Sequence, residues 1–187
     1  MNELLWYLSR ATGVVSIVLL TVVVVLGVTT AGRRSPFRER ATVVMALHRW
    51  LSLGMLAFLV THIATAVVET YVDIGWVSVL VPFSSGFSPV WVGLGTLAVD
   101  VLLAVGVTSW FRHRLPERLW KGVHLASYAL WPMALVHGVA LGTANEPLLR
   151  GTTVLCGVVG AGAVAWRLLG SHHDEKARAH ALEGEWT

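Results

Sequence analysis

The sequence predicts an all-α integral membrane protein built as a five-helix bundle. The first observation is composition: 55% of the 187 residues are hydrophobic and 13% are charged, with a mean hydropathy of +0.67. Soluble domains usually carry about a quarter charged residues. The second is that apolar runs long enough to cross a bilayer, roughly 20 residues each, occur five times. These runs lie at about 8–31, 43–68, 89–110, 120–142 and 151–169.

The first run is predicted to be a retained membrane helix and not a cleaved secretion signal. Its leader MNELLWYLSR has no basic segment, its apolar stretch is long, and no A-x-A-like cleavage site follows. We therefore expect one membrane domain over residues 1–170, followed by a short polar tail over residues 171–187.

The third observation is the distribution of basic residues, which predicts the orientation of the helices. Four arginines lie in the stretch 32–40, and three arginines and a lysine lie in 111–121, whereas 69–89 contains no lysine or arginine. Basic connections stay in the cytoplasm. The N-terminus is therefore expected outside and the C-terminal tail in the cytoplasm. These basic stretches flank helices without an aromatic platform, which argues against nucleic acid as a partner.

The remaining connections and polar positions add three expectations. The apolar stretch 71–89 is interrupted by glycines and prolines, so it is expected to form a lid or a short interfacial helix. Pro116 and Glu117 suit the first turn of the fourth helix. Asp100 lies in the middle of the third run, where a carboxylate is costly and is a functional candidate by default. Cys156 is the single cysteine, which excludes a disulfide framework, a Cys-x-x-Cys-His haem attachment and a cysteine-built zinc site.

Four histidines in the membrane runs form two pairs at matching depths. His48 and His62 are fourteen positions apart in the second run, and His124 and His137 are thirteen apart in the fourth. Both runs are predicted to cross in the same direction, so His48 is level with His124, and His62 with His137. At 1.5 Å per residue the two levels are roughly 20 Å apart within an apolar layer of about 30 Å. One site on each side of the membrane is expected.

The two spacings differ in helical register. Fourteen residues make roughly 3.9 turns, which places His48 and His62 on one face, whereas thirteen make about 3.6 turns. Pro132 lies between the second pair of histidines. We expect a kink or a locally altered winding near this proline to bring both rings back onto one face of the helix.

Two facing imidazoles in apolar surroundings suit the axial ligation of an iron porphyrin. Iron accepts two neutral imidazole nitrogens, and the porphyrin fills the apolar gap between helices. Zinc would require four ligands, which neither level offers. Without a covalent attachment motif the haem would be of the b type. The alternative is that each histidine is a hydrogen-bonded packing residue, which explains a single membrane histidine better than two depth-matched pairs.

The H-x13-H and H-x12-H spacings on two parallel helices resemble the ferric reductase-like transmembrane domain family. That family includes the membrane half of NADPH oxidases and the haem-binding membrane subunit of the bacterial periplasmic methionine sulfoxide reductase system. The resemblance covers about residues 4–169. It implies two b-type haems, with iron bound by His48 and His124 at the inner level and by His62 and His137 at the outer level. It also implies a bacterial cytoplasmic membrane.

The resemblance and the charge pattern indicate three cationic residues as candidate partners of the haem propionates. The opening LLWYLSRATGVVSIVLL is similar to small bacterial members of the family, in which an arginine lies near the outer end of the first helix, so Arg10 is the candidate for the outer haem. Arg49 and Lys121 are the candidates for the inner haem. The alternatives are that Arg10 extends to the lipid surface and that the other two follow the positive-inside rule.

The resemblance implies electron transfer across the membrane as part of an oxidoreductase system. Larger family members continue into a cytoplasmic flavin and nicotinamide domain, whereas residues 170–187 are too few to form one. A separate cytoplasmic flavin reductase or a quinol is therefore the expected donor, and an extracytoplasmic redox protein or ferric iron the expected acceptor. The alternative is a non-redox transporter that moves protons or metal with the histidines and Asp100, although transporters usually show broken helices or repeats.

Overall fold

The computed structural model describes residues 3–30, 40–69, 72–142 and 146–184, with side chains described as far as residue 169. Six helices and two short 3-10 turns make up this part of the chain, and no strand occurs in it. The helices are α1 (Glu3–Thr30), α2 (Ala41–Val68), α3 (Pro89–Trp110), α4 (Glu117–Leu125), α5 (Ser127–Leu141) and α6 (Pro147–Gly184). The 3-10 turns are Trp76–Val79 and Arg112–Arg114. Three arginines of the first basic stretch, Arg33, Arg34 and Arg38, lie outside the described residues.

Five helical segments are long and apolar enough to cross a membrane, which confirms the prediction. They are Glu3–Thr30, Ala41–Val68, Pro89–Trp110, Glu117–Leu141 and Pro147–Leu169. Helices suit this setting because every backbone hydrogen bond is made within the segment, and the lipid layer offers no replacement. The orientation of the termini stays a prediction. So does the boundary at residue 170, where the backbone of α6 continues as a helix to Gly184.

Helix α1 is the central helix of the bundle, in contact with α2, α5 and α6. A larger share of it is buried than of any other span. Its buried side includes hydroxyl side chains that bond to the carbonyl four residues earlier, with Oγ to O distances of 2.8 Å for Ser16 and for Thr21. These hydroxyl groups donate hydrogen bonds within their own helix, so they add no unpaired polar group to the interior.

An apolar core fills the middle of the bundle. It consists of Leu20, Val24, Val28, Met55, Ala98, Leu130 and Trp131. The indole Nε1 of Trp131 donates a hydrogen bond to Thr21 Oγ1 over 3.1 Å, which fixes α5 against α1. The six-membered ring of the same indole lies against the backbone of Gly160 in α6, where no side chain would fit.

The fourth span is interrupted at Ala126, between its two histidines. The N–H of Ala126 bonds to Val123 O over 3.0 Å, a 3-10 pattern, and its carbonyl accepts from Ala129 and Leu130 at 2.9 and 3.2 Å. The altered winding expected near Pro132 therefore occurs six residues earlier, and Pro132 itself lies inside α5. Proline removes one backbone donor and crowds the preceding turn, so the turns before it tolerate a change of winding.

The connection over residues 72–88 folds back onto α3. Its 3-10 turn is held by Thr96, whose hydroxyl donates to Ser78 O over 2.6 Å. Ser78 is buried, whereas the neighbouring Trp76 and Val77 are exposed. The stretch predicted as a lid or short interfacial helix thus forms a single turn that is fixed against the bundle.

A matched pair of glycines in α6 tests the packing around Trp131. A Cβ at Gly160 would lie 2.1 Å from Trp131 Cζ2, whereas one at Gly162 would meet nothing within 4 Å. We expect Gly160→Ala to lower the free energy of unfolding by about 1–3 kcal/mol relative to Gly162→Ala, because the buried indole cannot move aside. Thermal unfolding in detergent measures the difference. Equal midpoints for the two variants would contradict this packing.

Candidate functional site

The structure brings together the histidines that the sequence pairs by depth. The ring centres of His62 and His137 are 6.3 Å apart, with an angle of 85° between the ring planes. Those of His48 and His124 are 6.4 Å apart, at an angle of 52°. Helices α1, α2, α3 and the interrupted fourth span therefore enclose two similar pairs, despite the unequal spacing of the histidines along the chain.

Three of the four rings are fixed by a hydrogen bond to a backbone carbonyl of a neighbouring helix. The Nδ1 of His62 lies 2.8 Å from Ser9 O, and that of His48 lies 3.1 Å from Val23 O; both acceptors are in α1. The Nδ1 of His137 lies 2.8 Å from Trp91 O in α3. A carbonyl only accepts, so each Nδ1 carries the proton. The Nε2 of each ring is then left with a lone pair, as a metal ligand requires.

A glycine follows each of these acceptors by four residues and lets the ring approach the helix. A Cβ at Gly13 would lie 2.9 Å from His62 Nδ1, and one at Gly95 would lie 2.6 Å from the ring of His137. At Gly27 the nearest atom of His48 would be 3.7 Å away, an ordinary contact. The close approach at Gly13 and Gly95 is therefore incompatible with any larger residue. Sequence reasoning missed these positions, although glycines recurring inside membrane helices were the available signal.

His124 differs from the other three histidines. Its Nδ1 is buried and has no hydrogen-bond partner among the described residues. Its ring instead stacks on Trp120, with ring centres 5.2 Å apart and an angle of 27°.

A cavity of about 530 Å³ lies beside the pair formed by His62 and His137. Most of its wall is apolar, contributed by α1, α2, α3, α5, α6 and the 72–88 connection. Its charged lining residues are Arg10, Glu69 and Arg150. Sequence reasoning did not single out Glu69. It is 5% exposed, and its Oε1 has no hydrogen-bond partner in the part of the chain that is described.

The three cationic candidates occupy different settings. Arg10 lines the cavity, with its guanidinium over the ring of Trp6 and donating to the carbonyl of Leu141. Arg49 is exposed and borders a depression next to His48. Lys121 forms an ion pair with Glu117, with Nζ and Oε1 2.6 Å apart.

The donor set suits a cofactor that brings its own equatorial ligands. Within the described ranges, no group of three or more histidine, cysteine, aspartate or glutamate side chains is placed to hold a bare metal ion. Each pair supplies two imidazoles. Asp100, half-buried in α3, is not among the described residues that line the cavity.

The chain matches a known protein family. The family of ferric reductase like transmembrane components matches residues 12–135, about two thirds of the chain. The chain belongs to this family, which confirms the resemblance drawn from the histidine spacing. The match contains His48, His62 and His124 and ends two residues before His137. Comparisons with curated proteins and with solved structures gave no match.

Family membership and the five spans together define an integral membrane protein. Members of this family typically bind haem, and the family suggests electron transfer across the membrane.

The glycines beside the histidines provide a direct test of the site. We expect Gly13→Ala and Gly95→Ala each to lower the haem bound per chain, because the added methyl group would overlap the ring of His62 or His137. Gly27→Ala should retain haem, since its Cβ would make an ordinary contact with His48. Gly54→Ala is the control, as nothing lies within 4 Å of that position. The pyridine haemochrome assay on purified variants gives the comparison, and equal haem content in all four would contradict the geometry.

Proposed function

We propose that this protein carries electrons across the membrane through two b-type haems. One is bound between His62 and His137 and the other between His48 and His124. The observation that carries the proposal is the nearly equal separation of the two ring pairs, 6.3 and 6.4 Å.

This separation fits a single metal ion between two imidazoles. A metal–nitrogen bond of about 2.0 Å on each side, with about 1.1 Å from each nitrogen to its ring centre, gives roughly 6.2 Å between the ring centres. Direct packing of two imidazoles explains the value less well, because it would not require the same separation in both pairs at angles of 52° and 85°. The carbonyl bonds to Nδ1 support the same conclusion, since they orient three rings and raise the basicity of Nε2.

The cavity beside His62 and His137 fits a flat apolar ring that carries carboxylates. Its apolar walls suit the ring, and Arg10 and Arg150 suit the propionates by charge. The unpartnered Glu69 oxygen supports an additional hydrogen-bonding group in this cavity, because buried polar atoms are almost always paired. For the other haem we propose Arg49, next to His48. Lys121 would contribute there only when its ion pair with Glu117 opens.

Haem supplies one-electron redox chemistry when it is bound, and the chain supplies position and surroundings. The histidines of α2 fix the two levels roughly 21 Å apart along the helix. The apolar core between them excludes water and keeps the local dielectric low. The backbone of α1 holds one ring at each level. Binding of iron by both histidines of a pair would favour electron transfer over oxygen binding.

The proposed direction is from the cytoplasm to the outside, in a bacterial cytoplasmic membrane. The His48–His124 end then faces the cytoplasm, where a flavin reductase or a quinol is the proposed donor. Arg112, Arg114 and Arg118 are exposed near that end, which supports docking of a protein with an acidic surface. An extracytoplasmic redox protein or ferric iron is the proposed acceptor. Proton or metal transport by the histidines and Asp100 is less well supported, because three rings are held in fixed orientations.

Haem stoichiometry tests the proposal. We expect two non-covalent b-type haems per chain, extractable with acid–acetone and countable as the pyridine haemochrome. His62→Ala or His137→Ala should remove one haem, and His48→Ala or His124→Ala the other. His113→Ala is the control, because His113 is exposed in the Arg112–Arg114 turn and belongs to neither pair. A folded, colourless protein from haem-replete cells would overturn the proposal.

Thiol labelling tests the proposed direction. In a Cys156→Ser background, Ser84→Cys should react with a membrane-impermeant reagent in intact cells, because residues 72–88 are proposed to lie outside. Arg114→Cys should react only after permeabilisation. Both positions are exposed, so accessibility within the fold is matched. The reverse labelling pattern would invert the proposed electron path.

A further inference from the structure

One histidine of the four lacks the backbone bond that holds the others. Ser9, Val23 and Trp91 supply carbonyls to His62, His48 and His137, whereas the buried Nδ1 of His124 has no partner among the described residues. The His48–His124 pair therefore contains one anchored and one unanchored ring.

The sequence of α3 differs between the two histidine levels. Helix α3 runs antiparallel to the fourth span, and Gly95 lies against His137. His124 and His137 are thirteen residues apart. The residue thirteen positions after Gly95 in α3 is Thr108, which is not a glycine. The Thr108 hydroxyl donates to Ala104 O over 2.7 Å. Ala104 precedes Thr108 by four residues, as Trp91 precedes Gly95, so a threonine occupies the position that corresponds to the glycine.

An aromatic contact takes the place of this bond. Trp120 precedes His124 by one helical turn, and the two rings stack with centres 5.2 Å apart. Arg112 lies over the indole, with its guanidinium carbon 4.5 Å from the ring centre. The indole Nε1 is 3.5 Å from Ser109 Oγ. Trp120 thus contacts both Arg112 and His124.

We propose that Trp120 is a positioning residue that holds His124 in place of the missing hydrogen bond. The inference rests on the proposed function, since it concerns a haem ligand. A ring without an Nδ1 acceptor is a less basic ligand, and stacking restrains it less directionally than a hydrogen bond does. His124 is therefore the most easily displaced of the four ligands. The His48–His124 centre is the one that an external neutral ligand such as carbon monoxide can enter.

The experiment compares carbon monoxide binding to dithionite-reduced, purified protein of full length. We expect Trp120→Leu to speed carbon monoxide binding at one of the two haems by roughly threefold to tenfold, the scale of a lost aromatic contact. The low-spin electron paramagnetic resonance signal of one haem in the oxidised protein should shift or broaden. Trp120→Phe should stay close to the unmodified protein because it retains the stacking. Trp110→Leu is the matched control, since Trp110 is 83% exposed.

The possible results distinguish a failure of the proposed haem function from a failure of the proposed role of Trp120. Unmodified protein without haem would overturn the proposed function. With haem present, equal behaviour of Trp120→Leu and Trp110→Leu would overturn the role of Trp120. Loss of one haem in Trp120→Leu but not in Trp120→Phe would support it. If Trp120→Leu does not fold, Arg112→Gln supplies the test: a smaller increase in the same rate supports the role, and an unchanged rate overturns it.

Discussion

The hydrogen bond from a histidine Nδ1 to a helix carbonyl is the interaction on which the arrangement of this bundle depends. An imidazole inside a membrane is costly unless its N–H is paired, and the lipid offers no partner. Here the partner is a carbonyl that already accepts within its own helix, so no additional polar side chain enters the interior. The bond fixes the tautomer and aims Nε2 away from the helix that supplies the acceptor. Glycine follows at positions 13 and 95 because only a bare backbone permits the close approach of His62 and His137.

This constraint gives α1 a role that its composition does not suggest. It contributes no histidine, yet it provides the acceptors for His48 and His62 and much of the buried surface. Its buried side chains are branched aliphatic ones and the hydroxyl-bearing Thr12, Ser16 and Thr21, whose hydroxyls bond to their own helix. The result is a backbone surface against which α2 packs closely. The core residues between the two histidine levels then keep the pairs apart.

Much of this architecture could be predicted from the sequence. Length and hydropathy are properties of each segment alone, so the five spans followed directly. The spacings of His48 and His62 and of His124 and His137 together indicated the pairing and the family. The carbonyl acceptors were not predictable, because any helical residue carries one and only packing selects among them. Glu69 was missed because its burial depends on how the end of α2 meets the rest of the bundle. The break at Ala126 was displaced from Pro132 because relief of crowding is shared over the preceding turns.

The shared spacing of α1 and α2 has a consequence for how such a chain changes length during evolution. Gly13 and Gly27 are fourteen residues apart, as are His62 and His48. The two antiparallel helices therefore carry their contacting residues at the same spacing. A one-residue insertion between the two glycines of α1, or between the two histidines of α2, would rotate the rest of that helix by about 100°. It would carry one anchor away from its histidine while leaving the other in place. Insertions and deletions are therefore confined to the connections, or must occur in both helices at once.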